Sequence, residues 1–251
     1  MLEAKKESKK LNYPQMELPK SIALHLAPGI LVTIFYIIVG PFVLSIGLPN
    51  TIAMLLGIVV VIAPFEFGFL LYQARKNNHS FSFQNIIFYR EPMPLNQFIL
   101  VIIVLFLYTT IIAILILPIV DKFLLDSLFF WLPDWYILSI QGFSKNVLIP
   151  IVIFGLIMNG FAAPIIEELY FRGYLLPRLS ELEEKGVFLN LSLHAIYHLW
   201  MPWRIPGLII GYFPAAWIVW KKKNIYLSMI IHVIGNTLGS VFTLLYVLNL
   251  P

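Results

Sequence analysis

Cysteine is absent from the 251 residues, and with it go disulfides, thiolate metal ligands and a cysteine nucleophile. Any strong metal site must then be built from histidine, glutamate or aspartate. Charge is scarce as well. Only 12% of residues are Asp, Glu, Lys or Arg against 60% hydrophobic, and the mean hydropathy is +0.87. Soluble domains carry about 45 to 50% apolar residues, so this balance excludes a water-soluble globule, and no nucleic-acid partner is expected. The HExxH helix of zinc peptidases is missing. No internal repeat divides the chain and its polar groups cluster after residue 166, which argues against a transporter built from two related halves.

What is present is a series of apolar runs. About 20 residues cross a bilayer, and the runs predict an all-α polytopic membrane helical bundle of about seven transmembrane helices, with six to eight as the bounds. Residues 1–20 form a polar tail carrying Lys5, Lys6, Lys9, Lys10 and Lys20. Residues 21–251 read as one transmembrane domain with its chemical core at about 150–245. The first run, Ile22 to Ile46, is too long for a signal-peptide core and is followed by no A-x-A-like cleavage site, so it reads as a retained anchor. Starting with the tail inside, one side of the membrane collects most of the basic residues. The other side receives only Lys122, Lys145 and Arg204 of the 17 lysines and arginines. That bias predicts a cytoplasmic N-terminus.

Charge inside such runs is costly, at least ~2.5 to 3.5 kcal/mol per group on insertion scales, so each intramembrane polar group needs a partner or a task. Glu66, near one end of the second span, reads as an end-of-helix group reaching the interface. The stretch Ala163 to Arg172, APIIEELYFR, ends the fourth span with Glu167, Glu168 and Arg172. The amphipathic segment after it, RGYLLPRLSELEEKG, reads as a cytoplasmic surface segment. Two later runs supply matching groups: His194 and His198 in LHAIYHLW, and His232 and Asn236 in IIHVIGNTLG, each pair at i, i+4 on one helical face. At 1.5 Å per residue, His198, His232 and Asn236 fall at similar depths of roughly 10 to 16 Å from the tail side. One buried site opening to the cytoplasm is the expectation. Glu168 and Arg172, four residues apart, are placed to pair, which leaves Glu167 as the freer carboxylate.

The combination of EExxxR at Glu167, Glu168 and Arg172, a histidine in a short span, and HxxxN at His232 and Asn236 resembles the CAAX prenyl endopeptidase and bacteriocin-processing (CPBP, or Abi) family of intramembrane proteases. The resemblance spans roughly Gly155 to Gly239. One position departs from it: the family's second motif reads FxxxH, and here His194 stands where the aromatic residue does, so His198 takes the functional place. The resemblance implies an endopeptidase of a multi-pass protein, in a bacterial cytoplasmic membrane, acting on a membrane-associated or lipidated peptide. In that scheme Glu167 is the general base, His198 helps to activate or position the water, His232 and Asn236 bind the oxyanion, and Arg172 holds Glu168 as a second acid or an orienting partner. Family members have been described both as metalloproteases and as metal-independent glutamate proteases. If a divalent ion such as zinc is bound, the implied ligands are His198, His232 and Glu167. A non-catalytic role in bacteriocin immunity, through binding a membrane partner, is the alternative.

Overall fold

The computed structural model describes residues 13–250, and Lys5, Lys6, Lys9 and Lys10 of the tail lie outside that range. The described chain folds into seven helices. Four are long: α1 (Leu18–Ser45), α2 (Thr51–Asn78), α3 (Leu95–Ser127) and α4 (Lys145–Leu182). Then come α5 (Glu184–Tyr197), α6 (Ile205–Lys222) and α7 (Tyr226–Leu248). No strand is present among the described residues, only an isolated antiparallel bridge between Arg90 and Asn224. The molecule is an all-α polytopic helical bundle.

Five of the seven helices, α1 to α4 and α7, are long and apolar enough to cross a membrane. The other two correspond to the fifth and sixth spans expected from sequence. At 14 residues, α5 extends only about 21 Å. Helix α6 has 18 residues but ends on Lys221 and Lys222 and is not apolar enough over that length. The outward faces suit a lipid environment. Along α3 only Leu105 and Asp121 are buried, while Leu100, Ile114 and Ile119 are more than half exposed. Lipid makes such exposure cheap, because hydrocarbon tails are as apolar as leucine.

Helix interiors here contain proline without breaking, at Pro28, Pro41, Pro64, Pro150 and Pro214. Each removes a backbone donor, and α2 answers by winding wide, as a π-helix, over Ile58–Phe67 around Pro64. In α4 the π-wound turns Leu156–Ala162 and Glu168–Leu175 flank the short α-helical stretch Ala163–Glu167. Wide turns of this kind recur at functional sites, and both of these helices carry buried glutamates.

Two expectations are corrected by packing. The segment after Arg172 is a surface segment only in its second half: α4 continues to Leu182, Gly173 through Leu179 are buried, and Glu181 through Lys185 are exposed. Arg178 is accommodated there by donating to the Tyr174 and Ile86 carbonyls at 2.7 and 3.3 Å and by lying 3.5 Å over the Tyr174 ring, a cation held by an aromatic face rather than by water. Glu66 is not an interfacial group either. Because α2 runs on to Asn78, the residue sits inside the helix and is fully buried.

The end of the bundle where α2 finishes and α7 begins is strapped shut. Phe88 N donates to Gly173 O, Ile225 N to Tyr89 O and Glu91 N to Lys223 O. Lys223 adds a 3.1 Å bond to the Tyr89 hydroxyl and lies 4.4 Å over its ring. Burial, and behind it the Lys221 charge, lower the Lys223 ammonium to about 8.

Helix α1 approaches the end of α5 so closely that a Cβ on Gly29 would lie 2.1 Å from Tyr197 O. Gly29→Ala is therefore expected to push α1 off α5 and to cost roughly 1 to 3 kcal/mol or more, since the obstacle is backbone. A drop in the thermal unfolding midpoint of detergent-solubilised protein would register it. An unchanged midpoint would mean that the two helices do not meet there.

Candidate active site

Four segments converge on the EE pair: α4, the end of α5, the start of α7 and the middle of α2. Glu168 is completely buried and fully engaged. Its Oε2 accepts the Ser228 hydroxyl at 2.5 Å, its Oε1 accepts His232 Nδ1 at 3.1 Å, and Arg172 Nε lies 3.9 Å from Oε2. Glu167 makes long contacts to the histidines, from Oε2 to His194 Nε2 at 3.4 Å and to His232 Nε2 at 4.0 Å, and the Tyr197 hydroxyl lies beside its carboxylate.

Histidine protonation follows from these partners. Guanidinium groups can only donate, so His194 Nδ1, 2.5 Å from Arg172 Nη1, is an acceptor and the proton of His194 sits on Nε2, facing Glu167. His232 donates through Nδ1 to Glu168, and in the neutral ring Nε2 is then a bare lone pair on the Glu167 side. In His198, Nδ1 donates to the His194 carbonyl at 3.0 Å, and Nε2 is again left without a hydrogen.

The last bond is local capping. Helix α5 ends at Tyr197, so His198 turns out of the helix and satisfies one of the carbonyls that a helix C-terminus leaves unpaired. The i, i+4 face expected for His194 and His198 is thus broken by the helix end, yet the two rings remain 5.3 Å apart between centroids. His194 is stacked on Phe171 at 4.1 Å. Behind it, Asn190 donates to the Phe171 carbonyl and contacts His25 Nε2, each at 2.9 Å, in a buried polar support.

A cavity of about 990 Å³ opens from Glu167. Asn159, His194, His198, Tyr212, His232 and Asn236 line it near the carboxylate, and Asp121, paired to Arg204 at 3.0 Å, lies farther along. Its walls come from the first turns of α2, α3 from Phe106 onward, α4 up to Glu167, the last turns of α5, the first half of α6 and α7 from Ile231 to Thr243. Most of these lie toward the end of the bundle away from Leu18. No wall residue comes from 68–105 or 168–190, the strapped end. The cavity therefore reaches away from the tail's side, where sequence depth alone had suggested an opening on that side.

Of the expected site residues, Glu167, Glu168, Arg172, His198 and His232 are brought together, and Asn236 stands one turn beyond His232 on the cavity wall. The Asn236 amide donates to Asn159 O at 3.0 Å, keeping its second N–H for the cavity. Sequence reasoning left His194 as a neighbour. It is instead the link between Arg172 and Glu167, and the HxxxH spacing was its only signal.

Glu167, His194 and His198 hold ligand atoms within 4.8 Å of one another, close enough to grip a metal ion. The chemistry fits poorly. A cation on His194 Nε2 would require the proton on Nδ1, directly against the Arg172 donors. The set implied by the resemblance, Glu167, His198 and His232, has two bare nitrogens but forms no comparably tight cluster among the described residues.

Fold and site together define a polytopic membrane protein with a glutamate–histidine centre at the head of an intramembrane cavity. A family model described as "Type II CAAX prenyl endopeptidase Rce1-like" matches residues 148–238, the stretch that carries all three motifs. That match bears out the resemblance read from the motifs and supports a membrane endopeptidase in general. No curated protein and no solved structure matches the chain.

Proposed function

We propose that this protein is an intramembrane endopeptidase in which Glu167 activates water without a metal. The observation that carries the reading is the asymmetry of the two adjacent carboxylates. Glu168 is held by Ser228, His232 and Arg172, whereas Glu167 makes only long contacts to the histidines and lines the cavity.

A water between Glu167 and His198 Nε2 has one acceptor for each of its hydrogens, so its lone pair points into the cavity. Glu167 takes a proton as the water oxygen attacks the peptide carbonyl carbon. The developing oxyanion meets the free N–H of Asn236. The proton on Glu167 then passes to the leaving amine nitrogen as the C–N bond breaks. His232, anchored by Glu168, keeps its lone pair toward Glu167 and so serves as an acceptor, in place of the oxyanion donor that the resemblance implies.

The substrate class is a membrane-associated or lipidated peptide segment, in keeping with the apolar cavity walls. The bundle is assigned to a bacterial cytoplasmic membrane with its tail inside, which makes the mouth of the cavity face the opposite side.

New peptide termini in membranes of cells expressing wild type or His198→Ala at matched levels test the reading without a guessed substrate. Termini specific to wild type are expected, persisting in washed membranes after chelator treatment. Their disappearance on chelation and return with zinc would overturn the metal-free assignment. Complete absence of wild-type-specific termini, with any protective phenotype retained by the variant, would favour the immunity role.

A further inference from the structure

Next to Glu167 but outside the cavity lining, two buried polar groups stand without partners. Neither carboxylate oxygen of Glu66 has an aligned hydrogen bond, nor does the Tyr197 hydroxyl. Both residues are fully buried. An unsatisfied carboxyl in the middle of a membrane helix is among the costliest groups a protein can keep. Its neighbours give it a context: the Tyr197 hydroxyl lies beside both the Glu66 and the Glu167 carboxylates.

The hydrogen count is informative. Two ionised carboxylates offer only acceptors, and the single Tyr197 hydrogen serves one of them. A second hydrogen, carried by the Glu66 carboxyl, satisfies the group as a chain: Glu66 donates to the Tyr197 oxygen, and Tyr197 donates to Glu167. Local structure suits this. Glu66 stands in the wide-wound stretch of α2, and Tyr197 ends α5, pinned by Gly29 of α1.

We propose that Glu66 and Tyr197 are positioning residues that fix the orientation of the Glu167 carboxylate, Glu66 through the Tyr197 hydroxyl. This rests on the reading of Glu167 as the base. It adds a third carboxyl to a site whose sequence motifs contain two.

Four variants test it. Tyr197→Phe and Glu66→Leu each remove a link and are expected to lower kcat roughly 10- to 100-fold, the cost of a misaimed catalytic group, with KM unchanged. Glu66→Gln still offers an N–H donor to Tyr197 and is expected to keep most of the wild-type kcat. Glu66→Asp shortens the reach and is expected to behave like Glu66→Leu. Thermal midpoints should separate from activity, because Glu66→Leu replaces an unpartnered carboxyl with an apolar group and is expected to unfold no earlier than wild type. Normal kcat in Tyr197→Phe or in Glu66→Leu would overturn the proposal. So would a loss in Glu66→Gln equal to that in Glu66→Leu. Where Glu66→Leu fails to fold, Tyr197→Phe decides alone.

A readout independent of turnover is the infrared carbonyl band of a protonated carboxyl, expected in wild type and absent in Glu66→Gln. If wild type cleaves nothing, the protease reading falls while this band still tests the chain. Its absence from wild type would sink the pair.

Discussion

Glu167→Gln is expected to abolish turnover, by at least about 10³-fold, in a protein that still folds. The substitution keeps the shape of the side chain and removes only its basicity. Little structure depends on the charge, since the ion-pair contacts of Glu167 are long, 3.4 Å to His194 and 4.0 Å to His232. Glu168→Gln, one residue on, should behave differently. Ser228 and His232 both donate to Glu168, and an amide replaces one of those acceptors with a donor, so that variant should lose stability and activity together. The measurement pairs wild-type-specific peptide termini with thermal midpoints in detergent. Near-normal termini from Glu167→Gln would sink the assignment. Equal destabilisation of both variants would remove the distinction between a structural and a reacting carboxylate.

The second large effect concerns Arg172, which is 1% exposed and faces a glutamate exposed to 0%. Arg172→Met leaves the Glu168 charge in a low-dielectric interior and the His194 Nδ1 lone pair without a donor. Breaking one side of a buried pair costs about 3 to 5 kcal/mol, whereas replacing both partners by uncharged groups is far cheaper. Arg172→Met should accordingly lower the unfolding midpoint by something on the order of 10 °C, and Arg172→Met with Glu168→Gln should recover much of it. A double variant no more stable than the single would show that the charge pair is not what the arginine secures. Activity offers a further check. With Arg172 gone, nothing fixes the His194 proton on Nε2, so the double variant is expected to stay slow even where its stability returns.

The motif residues were legible before any coordinates because lipid penalises charge. In a chain only 12% charged, Glu167, Glu168, Arg172, His198, His232 and Asn236 stand out against apolar runs as polar groups that must be used. Glu66 stood out equally. Its burial was missed because it read as lying near one end of the second span, whereas α2 continues to Asn78 and carries the glutamate into the core. Arg178 misled in the opposite direction: its charge suggested water, and its solution was an aromatic face and two carbonyls.

Sequence alone determined the class of protein, the helical architecture, the segment that holds the chemistry and the division of the two glutamates into a paired and a freer one. These follow from properties that are local in the chain: hydropathy over a window, helical spacing, and the cost of charge in lipid. Only the tertiary structure decided that five helices, not seven, are long and apolar enough to span, that His194 links Arg172 to Glu167, that the cavity extends away from the strapped end, and that Glu66 and Tyr197 stand next to Glu167. Each of those depends on which side chains from distant segments share one volume. Donor and acceptor roles are then set by the partners present, and no spacing within a single helix encodes them.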